Sequence, residues 1–371
     1  MRIGIDARSL HYEGVGRYIR ELIKHLTLID SKNEYIIYFS SEKSIAEESI
    51  KSSNFHSKVL SVSIYDLHKQ PYFWYRIYQD NLDIFHATNH WLVPFFTPCP
   101  LIITVHDTLT KNEKKRLSYK VKVYGTLITR MALACSSRIL TISDFTKQEI
   151  INLYPAARQK ISVIYHGVGR EFTRQSETEV VQIKKKYRLT KRYLLYVGSL
   201  KVHKNIPKLI EAFSQLPLKL KEETDLVIAA RLEQKFSRVM NLPSLLGIEK
   251  HVRFIGYVPT EDLSGLYSGA VAFVMPSFTE WFGLPVIEAM ACGTPVIASR
   301  GGALPEVCGQ AASYFNPESV EDMRNVIEHI LTDNELQEWL SNMGVKRSEE
   351  FSWDITARKT LGAYEEVYKQ R

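Results

Sequence analysis

Glu280 and Glu288 stand eight residues apart in PSFTEWFGLPVIEAMACGTPVIA (276–298), and a helix start falls between them. Pro285 suits a first helical position, where its missing N–H costs nothing, so the helix is expected to begin near Leu284. On one unbroken helix the two carboxylates would lie ~12 Å apart along the axis. With the boundary between them, Glu280 belongs to the preceding loop and Glu288 lies one turn inside the helix. Both can then face a cleft beside a helix amino terminus, whose free amides and dipole favour a phosphate or another anion. Carboxylates accept hydrogen bonds from hydroxyls, so this pair beside an anion site suits a sugar nucleotide. The plainer alternative makes Glu280 a helix cap and Glu288 a solvated first-turn acid. The flanks favour the first reading. VAFVMPS (271–277) reads as a buried strand ending in a loop, PVIAS (295–299) starts another, and Gly293 sits where a helix carboxyl terminus wants glycine. In open parallel sheets ligands bind at the carboxyl ends of strands, where this loop falls.

The elements around the motif alternate in the same way. RIGID (2–6), YIIYF (35–39), KVLSV (58–62), DIFHA (83–87), LIITV (101–105), RILTI (138–142) and ISVIY (161–165) read as strands. Helices are expected after Gly14-Val15-Gly16 to about Leu26, over 119–135, and over 145–153 behind a cap at Ser143 or Asp144. Residues 167–192 are charged and poor in strand signal, which places a domain junction there. The alternation restarts with YLLYV (193–197), DLVIA (225–229), VRFIG (252–256), AVAFV (270–274) and TPVIA (294–298), and turns helical after Asn316. The expected architecture is α/β, with two doubly wound Rossmann-like domains, 1–170 and 171–352, facing a central cleft. A terminal helix over 353–371 is expected to pack back on the first.

Composition narrows the class. The 371 residues exceed one ordinary core, and 45% hydrophobic with 24% charged residues is usual for a globular chain. No apolar run reaches the ~18–20 residues of a membrane span, and the first ten residues read as a strand. Four cysteines (Cys99, Cys135, Cys292, Cys308) form no C-x-x-C pair, which suits reduced thiols in the cytoplasm. A net charge of +7 suits an anionic substrate or an anionic membrane surface. No zinc finger, RNP-type motif or helix-turn-helix accompanies that charge, so nucleic acid is not an expected partner.

Several ordered segments resemble the retaining GT-B glycosyltransferases of family 4, over nearly the whole chain. GIDARSLHYEGVGRYIRELIKHL (4–26) is similar to the family's opening strand, glycine loop and helix; FHATNHWLVP (85–94), TVHDTLT (104–110) and LTISDFTKQEI (140–150) to its acceptor-domain landmarks; YVGSLKVHKNIPKLIEAF (196–213) to its phosphate-binding segment; and residues 256–307 give the strongest likeness. The resemblance implies that Glu288 accepts hydrogen bonds from the ribose. Glu280 would hold hydroxyls of the transferred sugar, helped by backbone amides of Phe282, Gly283 and Leu284. Lys204 would bind the diphosphate, Gly14 and Gly16 would let backbone approach the phosphates, and His106 would stand near the reacting sugar with its ring fixed by Asp107 or a backbone group. Glycines at a strand–helix turn can equally serve local geometry, and a lone lysine or histidine can be structural. His106 gains weight from its place at the end of LIITV, and Lys204 from its strand–Gly–x5–Lys-Asn–helix context.

Two positions depart from the family. Ser199 and His203 stand where many members carry arginine, and neither replaces a bidentate guanidinium. The diphosphate then draws on Lys204 with a second cation left open among Arg17, Lys201 and Arg231. No Asp-x-Asp pair occurs, in keeping with metal-independent, cofactor-free transfer. The resemblance implies a hexosyltransferase that uses a nucleotide-diphospho-sugar, with GDP-mannose favoured, on a saccharide or lipid-linked saccharide in cell-surface polysaccharide or glycolipid synthesis. HKQPYFWYRIYQ (68–79) and KNEKKRLSYKVK (111–122) read either as a buried aromatic patch with a solvated loop, or as a peripheral surface for the inner face of the membrane. A non-catalytic nucleotide-sugar sensor and a GT-B epimerase or phosphorylase are the alternatives. A dinucleotide oxidoreductase fits less well, because Gly14-x-Gly16 is followed by Ile19 where G-x-G-x-x-G needs glycine.

Overall fold

The computed structural model describes all residues except 49, 63–69, 94–96, 109–118 and 371. The chain divides into one unit of Met1–Gly167 with Trp353–Arg371, and a second of Val168–Ser352. The division falls three residues before the expected 170/171 boundary.

In the first unit seven parallel strands form one sheet: β1 (Arg2–Asp6), β2 (Glu34–Phe39), β3 (Phe55–Val59), β4 (Ile84–Ala87), β5 (Leu101–Val105), β6 (Arg138–Thr141) and β7 (Ile161–Val163). Their order is β3-β2-β1-β4-β5-β6-β7. The central strands β4 and β5 are buried at every residue, as expected of a parallel sheet covered on both faces. The first helix (Glu13–Ile29) and the terminal helix (Trp353–Lys369) pack against each other, and the terminal helix also touches β4. Trp353 and Tyr364 are among the largest fully buried side chains.

The second unit repeats the pattern with β8 (Arg192–Val197), β9 (Thr224–Ala229), β10 (Val252–Gly256), β11 (Ala272–Met275), β12 (Val296–Ser299) and β13 (Ser313–Phe315). Their order is β10-β9-β8-β11-β12-β13. Each sheet reverses its winding direction once, between β1 and β4 and between β8 and β11, and a doubly wound sheet offers its binding crevice at that point. The loops that follow β4, β8 and β11 carry His90, Lys204 and Glu280.

Several strand bounds differ from the sequence reading for tertiary reasons. β3 begins at Phe55, three residues before the expected 58–62 run, because Phe55 stacks on Tyr35 at 4.3 Å and sets the register of that edge. β11 starts at Ala272, not 270, because Gly269 and Ala270 finish the preceding helical turn. β12 starts at Val296, because Pro295 has no N–H to give and contributes only its carbonyl, which accepts from Phe273. The short edge strand β13 was not expected from its sequence.

Candidate active site

In the second unit a helix runs from Leu284 to Ala291 with Gly283 as its amino cap and no capping side chain. Gly283 has φ +96°, and a Cβ there would lie 3.0 Å from a Leu304 methyl, so the sharp entry into this helix requires glycine. Gly293 closes the helix at φ +71°, its N–H bonded to Met290. The loop before the helix is held by backbone pairing of Glu280 with Gly302, whose neighbour Ala303 donates its N–H to the Glu280 carbonyl at 2.7 Å.

Glu280 and Lys204, read from separate motifs, meet here. Lys204 Nζ donates to Glu280 Oε2 at 2.6 Å, with the two side chains only 16% and 13% exposed. Ser277 Oγ donates to the same carboxylate oxygen at 3.1 Å. Asn205 ties the lysine loop down. It adopts a left-handed conformation, is buried, and donates its side-chain amide to the carbonyls of Pro276 at 3.1 Å and Pro317 at 2.9 Å. The Phe278 N–H adds a bond to the His203 carbonyl at 2.8 Å. The ends of β8 and β11 are thereby joined, and an ammonium with three donors is fixed beside the uncapped end of a helix.

Glu288 differs from its expected place beside Glu280. It is 3% exposed and accepts from Tyr267 Oη at 3.0 Å, so it lies beneath the surface with one oxygen already engaged. Its position one turn inside the helix turns it toward the Tyr267 helix, a partner with no signal in the sequence. Phe282 turns its ring inward against Phe351 at 5.8 Å, which leaves its backbone as the part able to serve a ligand. Ser199 is half-buried and accepts from Tyr196 through its carbonyl at 2.7 Å. Arg231 is exposed beyond β9, with its guanidinium 5.0 Å from the centre of the Tyr257 ring, and Lys201 is exposed at the turn before Lys204.

In the first unit Gly14 and Gly16 lie inside the first turn of the helix that begins at Glu13, one turn earlier than expected. Gly16 is buried, and a Cβ there would sit 2.0 Å from the Leu10 carbonyl oxygen, so its glycine serves the chain's own close approach. Gly14 is exposed with open space around it. Arg17, on the same helix, is half-buried and close enough to His166 to lower the proton affinity of that ring.

His106 is buried at the carboxyl end of β5. Of the two supports considered for its ring, the structure uses backbone: Nε2 is 2.8 Å from the Thr88 carbonyl, so Nε2 carries the hydrogen. Asp107 accepts from Trp91 Nε1 at 3.5 Å. Burial pushes the His106 imidazole down to about 4, opposed by the Thr88 bond and the Asp107 charge. Burial likewise holds His86 and His90 near 3 and His166 well below its usual range. His90 is fully buried, and neither ring nitrogen has a hydrogen-bond partner among the described residues. Sequence reasoning missed Tyr267, Asn205, Ser277 and this group of neutral histidines.

The chain is similar to known proteins over both units. Residues 12–172 match the Glycosyltransferase Family 4 model and residues 179–347 match glycosyl transferases group 1. Over 375 aligned residues the chain is 30% identical to O-antigen chain mannosyltransferase B of Escherichia coli, covering 95% of each protein. It is 31% identical over 277 residues to the serotype-specific mannosyltransferase WbdA of Escherichia coli, covering 73% of this chain and 34% of that longer one. A glycosyltransferase from Rickettsia africae has the same fold at TM-score 0.80 and 20% identity, over 100% and 99% of the two chains. Anabaena HepE, solved with UDP and glucose, follows at TM-score 0.79 and 16% identity, over 98% of each. The chain belongs to the family 4 glycosyltransferases and has their GT-B fold of two doubly wound domains. It is an enzyme of glycosyl transfer.

The buried histidines make a prediction about acid stability. An unfolded imidazole takes up a proton near pH 6.5. His86, His90 and His106 stay neutral in the fold until about 3, 3 and 4. Between those limits the unfolded chain binds more protons, so stability rises with pH; it is complete above about 6.5 and is lost as pH falls, by about 1.4 kcal/mol per unit for each histidine. Denaturant unfolding at pH 7.5 and 5.0 is expected to show this loss. His90→Leu should shrink it without lowering stability at pH 7.5, since it also removes two unsatisfied nitrogens.

Proposed function

We propose that this enzyme transfers mannose from GDP-mannose, with retention at the anomeric carbon, to a saccharide or lipid-linked saccharide of a cell-surface polysaccharide or glycolipid. The Lys204–Glu280 pair at the Gly283-capped helix end is the observation that carries this reading. The choice of mannose is supported by relatives named as mannosyltransferases of O-antigen chains.

Lys204 can keep one N–H on Glu280 and direct the others to the diphosphate, and the helix amides add fixed dipoles where negative charge develops. Those groups favour the diphosphate as a leaving group without a metal ion or cofactor. The bond from the anomeric carbon to the phosphate oxygen breaks, and an acceptor hydroxyl forms its new bond on the same face. Its proton passes to the departing phosphate oxygen. Glu280, held by Lys204 and Ser277, accepts from sugar hydroxyls and orients the ring. Glu288, held by Tyr267, meets the ribose from below. His106, neutral at pH 7 and donating through Nε2, offers Nδ1 as an acceptor for a sugar hydroxyl.

Calorimetric titration with a panel of GDP-, UDP- and dTDP-sugars, followed by NMR of the product anomer, tests this reading. GDP-mannose should bind best, the product should be the α-anomer of the donor, and Glu288→Ala should weaken every nucleotide that binds by about 1–3 kcal/mol. An inverted product, or binding with neither transfer nor hydrolysis, would contradict it.

A lipid-linked acceptor needs the enzyme at a membrane surface. No helix among the described residues is long and apolar enough to cross one. On the helix Gln70–Gln79, Phe73 and Ile77 point into the core, while Tyr72, Trp74, Tyr75 and Tyr78 are exposed, which supports the surface reading of this segment over the buried one. Amphipathic aromatics of this kind favour the lipid–water boundary. The basic run that would accompany them, including Lys114, Lys115 and Arg116, lies outside the described residues. Sedimentation with phosphatidylglycerol vesicles is expected to carry the protein down, and neutralising these three residues to release it. Equal sedimentation of both forms would count against a peripheral site.

A further inference from the structure

We propose that Tyr364, on the terminal helix, is a positioning residue for His106 that acts through His86, Thr104 and Tyr18. Tyr364 Oη lies 2.6 Å from His86 Nδ1, and His86 Nε2 lies 2.8 Å from Thr104 Oγ1. The same Thr104 hydroxyl is 3.0 Å from Tyr18 Oη. Tyr18 then sets its ring edge-on against His106, with centroids 4.9 Å apart and planes at 71°. All four linking side chains are 3% exposed or less.

Burial gives the chain of contacts its force. Exposed hydroxyls could exchange one partner for water, but these cannot, so each link is made or leaves a desolvated polar atom behind. The bond at the Tyr18 hydroxyl therefore anchors the far end of that side chain, and its ring forms one wall of the imidazole. The Thr88 carbonyl fixes the other side. The terminal helix closes the group from its other end as well: Trp353 packs on His166 at 5.4 Å, and His166 lies 5.6 Å from His106 and 5.0 Å from Tyr18. Residues from the end of the sequence thus frame a histidine near its beginning. None of the linking groups touches a reacting atom in this account, and their effect is carried by the position of the His106 ring.

The proposal rests on His106 working in glycosyl transfer, so one arm of its test does not depend on activity. In protein labelled with 15N-histidine, Tyr364→Phe should shift the ring resonances of His86 and also those of His106, in a protein that still unfolds cooperatively but with its midpoint lowered by the stranded His86 Nδ1. Thr104→Val should do the same, and Thr104→Ser should restore the His106 signals. In donor hydrolysis with GDP-mannose, Tyr364→Phe and Thr104→Val should lower kcat roughly ten- to a hundredfold with donor KM unchanged. Thr104→Ser should recover most of that loss. A shift confined to His86, with His106 resonances and kcat at wild-type values, would overturn the proposal. Failure of the wild-type enzyme to turn over any donor would instead defeat the mannosyltransferase reading and leave the resonance comparison to decide the positioning role.

Discussion

A mostly buried ammonium–carboxylate contact organises the second unit. Neither Lys204 nor Glu280 is stable alone in that setting, because removing one partner strands the other's charge away from water. Each loop must therefore present its charge at the right height, and the surrounding contacts are those that do so. Asn205 anchors the lysine loop to two carbonyls, Ser277 shares the carboxylate, and Gly302 brings its backbone against Glu280. The uncapped start of the Leu284–Ala291 helix then adds partial positive charge to a place where a cation is already held. In the proposed function a diphosphate would meet both without the protein having to assemble either.

The first unit solves a different problem. Four histidines are buried near one another, and all are pushed toward the neutral form by lost solvation. Neutral imidazoles can pack as aromatic rings and still donate one hydrogen bond and accept another, so these rings are polar without being charged. His106 takes its tautomer from the Thr88 carbonyl, a backbone group whose place is set by β4 itself. That arrangement suits recognition of an uncharged hydroxyl, the part given to His106 in the proposed function.

The sequence discloses elements whose signals are local. The bounds of β1 and β5 coincide with their apolar runs, and the helix start at Leu284 follows from Gly283 and Pro285 alone. Glu280 and Lys204 stand out as candidates from two motifs, but their contact is not readable, since 76 residues separate them. Tyr267 under Glu288 and Tyr364 against His86 are hidden for the same reason: a tyrosine in an amphipathic helix looks like core until its hydroxyl finds a partner. Gly16 is open to two readings, phosphate approach or local geometry, and the carbonyl of Leu10 that a Cβ would meet gives the local one a physical reason. The β3 edge failed because its register depends on the stacking of Phe55 with Tyr35 rather than on its own pattern.

Family membership fixes glycosyl transfer, and the account of how this chain performs it depends on Lys204 and Glu280 acting on the donor as one unit. A double-mutant cycle with Lys204→Met and Glu280→Gln, read as donor affinity by calorimetry, tests that directly. The losses in the single variants should sum to more than the loss in the double variant, with a coupling of about 1–3 kcal/mol. Losses that add to within about 0.5 kcal/mol would mean that the two side chains serve the ligand independently, contrary to the site described here.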